Sequence, residues 1–391
     1  MVVNLLRLAA VVFAIAHGSP ARADTVQEVQ MHGLLAALNA YRAIADTGGW
    51  PTLLPGGVLE QGKTDPRTGL LRERLRRSGD LTEVATGDVV DSGLAAAISR
   101  FQLRHGLPAD GRVGADTFTE LNVTARARAA QIELNLRRWQ AVPALGPTYI
   151  RVNTAAQVLE FVQDGVVGLR MPVIVGDRKH PTPEFVAGIT GVQFYPPWNI
   201  PSAIVTKEIV PRLWRDPAYL EQQNIRILGR DADPYGQDID WKRFTKAATL
   251  RMRQDPGPKN ALGLIKFDVP NPYGVYLHDT PNKALFAKST RAFSHGCIRV
   301  SRPSELALAL LGGSGWSMAK IDEATEAGKT RRVPLEPTVP VHVAYFTAFV
   351  GPDGSVAFRQ DIYGRDGTTR SLSGAAAEAT IPKGRRAGCG D

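Results

Sequence analysis

Apolar residues recur at helical spacing through the first third of the chain and in short strand-like runs beyond it, and this change of period divides the molecule. Val26, Val29, Leu34, Leu38 and Tyr41 repeat every three to five positions, which predicts a helix over 25–45 that Gly48-Gly49-Trp50-Pro51 stops. A Pro/Gly-rich connector, Pro51 to Gly57, follows. Leu70 to Arg77, Leu94 to His105 and Ala115 to Leu121 then read as three short helices, with Leu94, Ile98 and Phe101 on one face of the middle one. Gly106, Asp110-Gly111 and Gly114 punctuate the turns, and Phe101 and Leu107 are core candidates. Ala125 to Gln140 is a charged helix with Ile132, Leu136 and Trp139 as its apolar stripe; it runs into Pro143 and Pro147 and reads as a linker.

From Tyr149 the runs become short and rich in β-formers: Tyr149 to Val152, Val158 to Val162, Val166 to Val175, Gly274 to Leu277, Val341 to Val350 and Ser355 to Arg359. Asp164-Gly165 and Gly351-Pro352-Asp353-Gly354 are hairpin signals. Within this β-rich part, residues 201–257 carry helix-like runs (Ile204 to Arg215, Pro217 to Asn224), and the aromatics Trp198, Trp214, Tyr219, Tyr235 and Trp241 cluster there. An insertion of that length is either a lid over a site or a packed helical decoration, and the pattern fits both. The expected fold class is multidomain α+β.

Residues 1–23 change the chemical context. One early charge (Arg7), an apolar run from Leu8 to Ala16 and the sequence Ala21-Arg22-Ala23 make a signal peptide with cleavage expected after Ala23, hence export. The run is shorter than the ~20 apolar residues a membrane-spanning helix needs. Loss of Arg7 and Arg22 lowers the formal charge from +9 to +7. A basic protein suits an anionic polymer, but no run of five like charges and no interleaved basic-aromatic platform points to nucleic acid. The chain has no zinc-ligand pair and no phosphate loop, so neither metal nor cofactor is expected.

Two cysteines cannot form a disulfide scaffold. Cys389 sits in a polar, glycine-rich tail whose composition is that of a disordered segment. Cys297 sits in Ser294-His295-Gly296-Cys297, between strand-like and helix-like segments, and in an exported chain it reads as a nucleophile. Attack on a carbonyl needs a thiolate, a histidine to take its proton, something to orient that histidine, and amide N–H groups for the oxyanion. His278, nineteen residues upstream at the end of a strand, suits the base. His295 is too close in sequence for that and suits shaping the loop, and Gly296 permits an unusual turn. His32, His105, His180 and His342 show no such relation to the cysteine, and His105 reads as a residue at the end of its helix.

The stretch FQLRHGLPADGRVGADTFTELN, with Leu71-Arg72-Glu73-Arg74-Leu75 upstream, resembles the three-helix peptidoglycan-binding module of bacterial cell-wall enzymes. His278, fifteen intervening residues, and Ser294-His295-Gly296-Cys297-Ile298-Arg299 are similar to the catalytic motif of the L,D-transpeptidases, whose β-rich fold is also called the YkuD domain. Arg253 to Gly263, Tyr276 to Pro281 and Asp361-Ile362-Tyr363-Gly364 look like the large periplasmic members, which carry both the binding module and a lid. The resemblance implies a signal peptide (1–23), an N-terminal helical scaffold (24–57), a peptidoglycan-binding module (58–123) and a linker helix (124–146). A catalytic domain (147–370) with a helical lid inserted at about 201–257 and a tail (371–391) complete the chain.

The same resemblance makes Cys297 the nucleophile, His278 its proton partner and the backbone carbonyl of Asp279 the orienting group, so that the Asp279 carboxylate is no triad member. His295 and Gly296 shape the pocket, with backbone N–H groups near Cys297 as oxyanion donors. Tyr276, Arg299, Ser294 and Trp198 are expected at the substrate. The implied reaction is acyl transfer on peptidoglycan stem tetrapeptides: a thioester forms with loss of D-alanine, and a second stem resolves it into a 3–3 cross-link. Water as acceptor gives an L,D-carboxypeptidase, an outer-membrane protein as acceptor gives wall attachment, and carbapenem β-lactams are implied covalent inhibitors. A papain-like hydrolase would place Cys before His, against the order here, and a non-catalytic wall-binding protein is the alternative of another class.

Overall fold

The computed structural model of the protein describes residues 25–83, 85–244 and 249–367. The segments read as signal peptide and tail, Cys389 included, lie outside these residues. Helix α1 (Val26–Asp46) opens on a capping box, in which the Thr25 hydroxyl accepts from Glu28 N–H and the Glu28 carboxylate accepts from Thr25 N–H. Its inward face is Gln30, Leu34, Leu38 and Tyr41; Val29, expected on that face, is exposed. Helices α2 (Thr68–Arg77), α3 (Ser92–Arg104) and α4 (Ala115–Leu121) enclose a core of leucines around Phe101, with Leu107 only half-buried at its rim. His105 caps the end of α3, its Nδ1 2.7 Å from the Phe101 carbonyl and its ring between Phe101 and Phe358. Burial and the neighbouring Arg104 and Arg128 push its pKa well down.

Helix α5 (Ala125–Gln140) is not a free linker. It packs along α1, and Trp139 stacks on Phe346 at 4.1 Å. Together α1, α5 and the hairpin of β13 (Ala348–Val350) and β14 (Val356–Phe358) build one apolar cluster that joins the two ends of the described chain.

The β-rich part contains a nine-stranded sheet among the described residues. Its strands are β1 (Thr148–Asn153), β2 (Val158–Gln163), β3 (Val166–Gly176), β4 (Phe185–Phe194), β8 (Ile265–Asp268), β9 (Leu277–His278), β10 (Ala292–Ser294), β11 (Ile298–Val300) and β12 (Arg331–Ala344). The order is β10-β3-β11-β9-β8-β4-β12-β1-β2, and β3 also pairs with β2, so the sheet closes on itself. Helices α9 (Pro303–Leu311) and α10 (Met318–Glu326) pack on its core. Strand β12 holds three prolines; its proline-bearing part pairs only with β4, and β1 joins at Val341–Ala344. Those prolines hide the strand from a sequence reading, and the expected run to Val350 breaks at Tyr345–Thr347.

The 201–257 insertion is a small subdomain with its own core, centred on Leu213, Leu220 and Trp241. Beside helical turns α6 (Ser202–Ile204), α7 (Val210–Leu213) and α8 (Tyr219–Gln222), it holds a three-stranded sheet of β5 (Trp198–Ile200), β7 (Met252–Gln254) and β6 (Ile225–Ile227). The helical expectation is therefore corrected to mixed α/β, since strands of three residues are too short to show a period of two.

Gln30 ties α1 to β13 in both directions: its side-chain amide donates to the Val350 carbonyl at 2.8 Å and accepts from Val350 N–H at 2.7 Å. Gln30→Leu leaves two buried backbone groups unpaired, and should cost about 2–4 kcal/mol of unfolding free energy in urea titrations.

Candidate active site

Strands β9 and β11 run parallel, with Leu277 opposite Ile298 and His278 opposite Arg299. Side chains alternate along a strand, so Tyr276 and His278 on one strand share a face with Cys297 and Arg299 on the next. Leu277 and Ile298, pointing the other way, are wholly buried in the sheet core. This register puts His278 and Cys297 on one face of adjacent strands although they stand nineteen positions apart in the sequence. The Ile298 N–H donates to the Tyr276 carbonyl at 3.1 Å, and the Tyr276 N–H lies 3.5 Å from Cys297 Sγ.

The turn into β11 needs its glycines. Gly296 has φ +115°, a region that side chains other than glycine rarely adopt. Gly176 on β3 lies against it, where an added Cβ would sit 2.0 Å from the His180 carbonyl oxygen. Buried Thr182 bridges them: its hydroxyl accepts from Gly176 N–H at 2.9 Å and donates to the Gly296 carbonyl at 2.8 Å. Ser294 corrects its expected role at the substrate. It is buried, accepting from Gly296 N–H at 3.1 Å and donating to the Cys297 carbonyl at 2.5 Å, so it staples the loop. The same bond removes the Gly296 N–H from the candidate oxyanion donors.

His278 is buried, and its Nδ1 lies 2.5 Å from the Asp279 carbonyl oxygen. A carbonyl only accepts, so Nδ1 carries the proton. Burial, with Arg299 and Lys266 nearby, pushes the imidazole pKa down to about 3 against the pull of the Asp279 and Leu262 carbonyls, so the ring is neutral at pH 7. The Asp279 carboxylate turns away: Oδ2 accepts from Leu264 N–H at 2.9 Å and Oδ1 pairs with Lys283.

Tyr276 stands edge-on to His278 at 5.6 Å, with Lys266 Nζ 4.5 Å from its ring centre. Tyr276, Leu262 and Cys297 form a small buried cluster that Trp198 of β5 covers. Arg299 is half-buried; no carboxylate pairs with it among the described residues, its Nε has no hydrogen-bond partner, and burial lowers its pKa. Cys297 is disulfide-bonded in this structure, and the chain's other cysteine, Cys389, lies outside the described residues. A sulfur so bonded has no thiolate, so any nucleophilic role belongs to the reduced form.

Three residues here had no signal in the sequence. The capping subdomain reaches the motif through Glu208, whose Oε1 lies 2.6 Å from His295 Nε2. Glu208 sits in a π-helical turn, Val205–Ile209, an irregularity that displaces a side chain from ordinary helical spacing. His180, read as unrelated to the cysteine, has its ring 4.8 Å from that of His295 and its Nδ1 3.0 Å from Asp177 Oδ1. Thr182 is the third. All three meet the motif only across the fold. A cavity of about 480 Å³ lies beneath the capping subdomain, lined by Trp198, Glu208, Arg212, Gln254, Lys259 and Asn282 among others.

Residues 147–316 match the YkuD family model, described as "L,D-transpeptidase catalytic domain". Residues 64–121 match the model described as "Putative peptidoglycan binding domain". The chain thus carries a region similar to the YkuD L,D-transpeptidase catalytic domain beside one similar to a peptidoglycan-binding domain. A protein of Haemophilus influenzae described as "Putative L,D-transpeptidase" is 34% identical over 253 residues, 64% of this chain and 50% of its own length. The chain therefore spans about half the length of that curated relative. Solved L,D-transpeptidases are more distant. That of Stackebrandtia nassauensis is 16% identical, covering 75% of this chain and 96% of its own, at a TM-score of 0.29. That of Mycobacterium smegmatis is 16% identical, covering 51% and 58%, at 0.25. L,D-transpeptidase 3 of Mycobacterium tuberculosis, in complex with a faropenem-derived adduct, is 16% identical, covering 50% and 60%, at 0.26. At these TM-scores nothing further rests on the solved structures.

The His295–Glu208 pair is half-exposed, so Glu208→Gln should leave the melting temperature within about a degree or two. If the pair sets the subdomain over the site, the same variant lowers kcat/KM by roughly tenfold; an unchanged value removes that role. The buried His278 has a second consequence. Its folded pKa lies below the unfolded value of about 6.5, so the unfolded state binds the extra proton and stability falls as pH drops from about 6.5 toward 3. Urea midpoints of the wild type should fall between pH 7 and pH 5, and His278→Gln should flatten part of that slope, leaving the share of His105 and His342, whose pKa values burial also lowers.

Proposed function

We propose that the protein is a cell-wall L,D-transpeptidase, exported to the periplasm, that joins peptidoglycan stem peptides through a thioester on Cys297. The observation that carries this reading is the β9–β11 register, which sets His278, oriented by the Asp279 carbonyl, on the same sheet face as Cys297. After reduction, the neutral His278 accepts the thiol proton and the sulfur attacks the carbonyl of the diamino acid at position three of the stem. The C–N bond to D-alanine breaks, the departing amine takes the proton from His278, and a thioester remains. An amine of a second stem then attacks the thioester, the new amide forms, and the thiol regains its proton.

The electrostatics pull in two directions: the low pKa keeps the His278 imidazole unprotonated but makes it a weak proton acceptor, while Arg299 and Lys266 favour the negative charge that develops on sulfur and on the carbonyl oxygen. Arg299, half-buried with no carboxylate partner among the described residues, is the group proposed to hold a stem carboxylate, and Tyr276 and Trp198 are proposed to wall the acyl site. A carbapenem presents a strained amide to the same sulfur. Ring opening forms a thioester without a departing amine, so capture without turnover is expected.

The test is mass spectrometry of the protein, treated with a thiol reductant, after incubation with a disaccharide-tetrapeptide and in parallel with a carbapenem. Wild type should lose D-alanine from the donor, form a 3–3 dimer and gain the β-lactam mass; Cys297→Ala should do neither, and unreduced protein should stay unlabelled. His278→Ala should slow acylation by about 10²–10⁴-fold and shift the pH dependence of Cys297 alkylation. A tripeptide product without dimer would make the acceptor water. Absence of any adduct on folded, reduced wild type would leave a wall-binding protein.

A further inference from the structure

A cavity of about 370 Å³ lies outside the active site, where four parts of the molecule meet. Helix α3 of the binding module supplies Arg100, Leu103 and Arg104; α5 supplies Trp139; strands β1 to β3 supply Arg151, Glu160 and Arg170; and the β13–β14 hairpin and its flank supply Phe349, Asp353 and Arg359. Its charge is lopsided. Five arginines line it against two carboxylates, both of them engaged; Arg104 is paired with Asp80 outside the lining and Arg100 donates to the Asp80 carbonyl, so among the described residues Arg100 and Arg359 are the two that meet no carboxylate. Glu160 is shared between Arg151 and Arg170, and Asp353 is bound by the hydroxyl and N–H of Ser355. Arg359 Nη1 donates to the main-chain carbonyls of Arg104 and Phe358 rather than to an acid. Burial, followed by Arg170 and Arg291, lowers its pKa to about 10, the mark of a cationic site short of counter-charge.

Leu103 and Arg100 are exposed at the mouth, so a chain can enter from solvent. Strand β3 connects this place to the active site: Arg170 lies in the cavity wall and Gly176 lies against Gly296, six residues or ~20 Å along the strand.

We infer that this cavity between the binding module and the catalytic sheet is a second substrate site, which takes the carboxylates of a peptidoglycan stem peptide on Arg100, Arg170 and Arg359. The choice of ligand rests on the cell-wall reading above; the cationic character of the cavity does not. Such a site holds a strand of the wall at a fixed distance from Cys297, which raises the local concentration of stems at the sulfur.

The experiment is titration calorimetry on the full chain carrying Cys297→Ala, with a soluble disaccharide-tetrapeptide and with the same compound whose carboxylates are amidated. On the parent, amidation should weaken binding. In Arg100→Gln/Arg170→Gln, binding of the acidic compound should fall about tenfold or more, and the penalty for amidation should shrink by the same factor. Arg100→Lys/Arg170→Lys should retain part of the affinity. If the double glutamine variant fails to melt cooperatively, Arg100→Gln alone decides, because Arg100 is an exposed helix residue. Equal affinity for the acidic compound in a folded variant and the parent, or an amidation penalty of the same size in both, overturns the inference. Carbapenem acylation of reduced wild type, measured separately, reports on the active-site reading, so the two can fail independently.

Discussion

The parallel pairing of β9 with β11 is the constraint on which the candidate chemistry depends. A two-residue alternation on each strand and a register of His278 opposite Arg299 leave no choice of side: the imidazole, the sulfur, the phenol of Tyr276 and the guanidinium must share one face. A slip of one residue would exchange them for Leu277 and Ile298, which are wholly buried in the sheet core, so the hydrophobic core holds the catalytic register in place. The tight turn ahead of β11 follows from the same need. Gly296 at φ +115°, Gly176 pressed against it, the Thr182 bridge and the Ser294 staple together aim Cys297 into that face.

Burial then sets the electrostatics. The imidazole of His278 is oriented by a main-chain carbonyl rather than by a carboxylate, and its surroundings are cationic, so nothing nearby stabilises its charged form strongly. The Asp279 carboxylate takes no part in orienting the imidazole; it is turned to Lys283 and to the loop at Leu264.

Around this face the chain assembles three further bodies. Helices α1 and α5 and the β13–β14 hairpin form a platform on which the peptidoglycan-binding helices sit, tied through His105, Arg104 and Phe358. The capping subdomain has its own core and touches the motif through Glu208 and Trp198. Each body buries its own apolar face, and side-chain hydrogen bonds such as Arg104 to Tyr41 and Asn135 to Thr347 tie them together.

Much of this was readable along the chain. The five N-terminal helices announced themselves because each exposes a periodic stripe, and Ala115–Leu121 and Ala125–Gln140 stand where the pattern put them. The spacing from His278 to Cys297 pointed to a family, and the family models match both regions. What the sequence could not express was anything decided by register or by distant neighbours. Strands of two or three residues such as β9, β10 and β11 carry no period, the prolines of β12 disguise a long strand, and α5 looks like a linker until α1 covers it. Ser294 looked like a substrate contact and is a loop staple; Glu208, His180 and Thr182 had no local mark because their partners in the motif lie 87 to 115 residues away. Residue types and local periodicity determined which elements form and which side chains bear chemistry. Tertiary structure alone decided which of them meet, because strand pairing and core burial select contacts that are far apart in sequence and energetically invisible until the sheet closes.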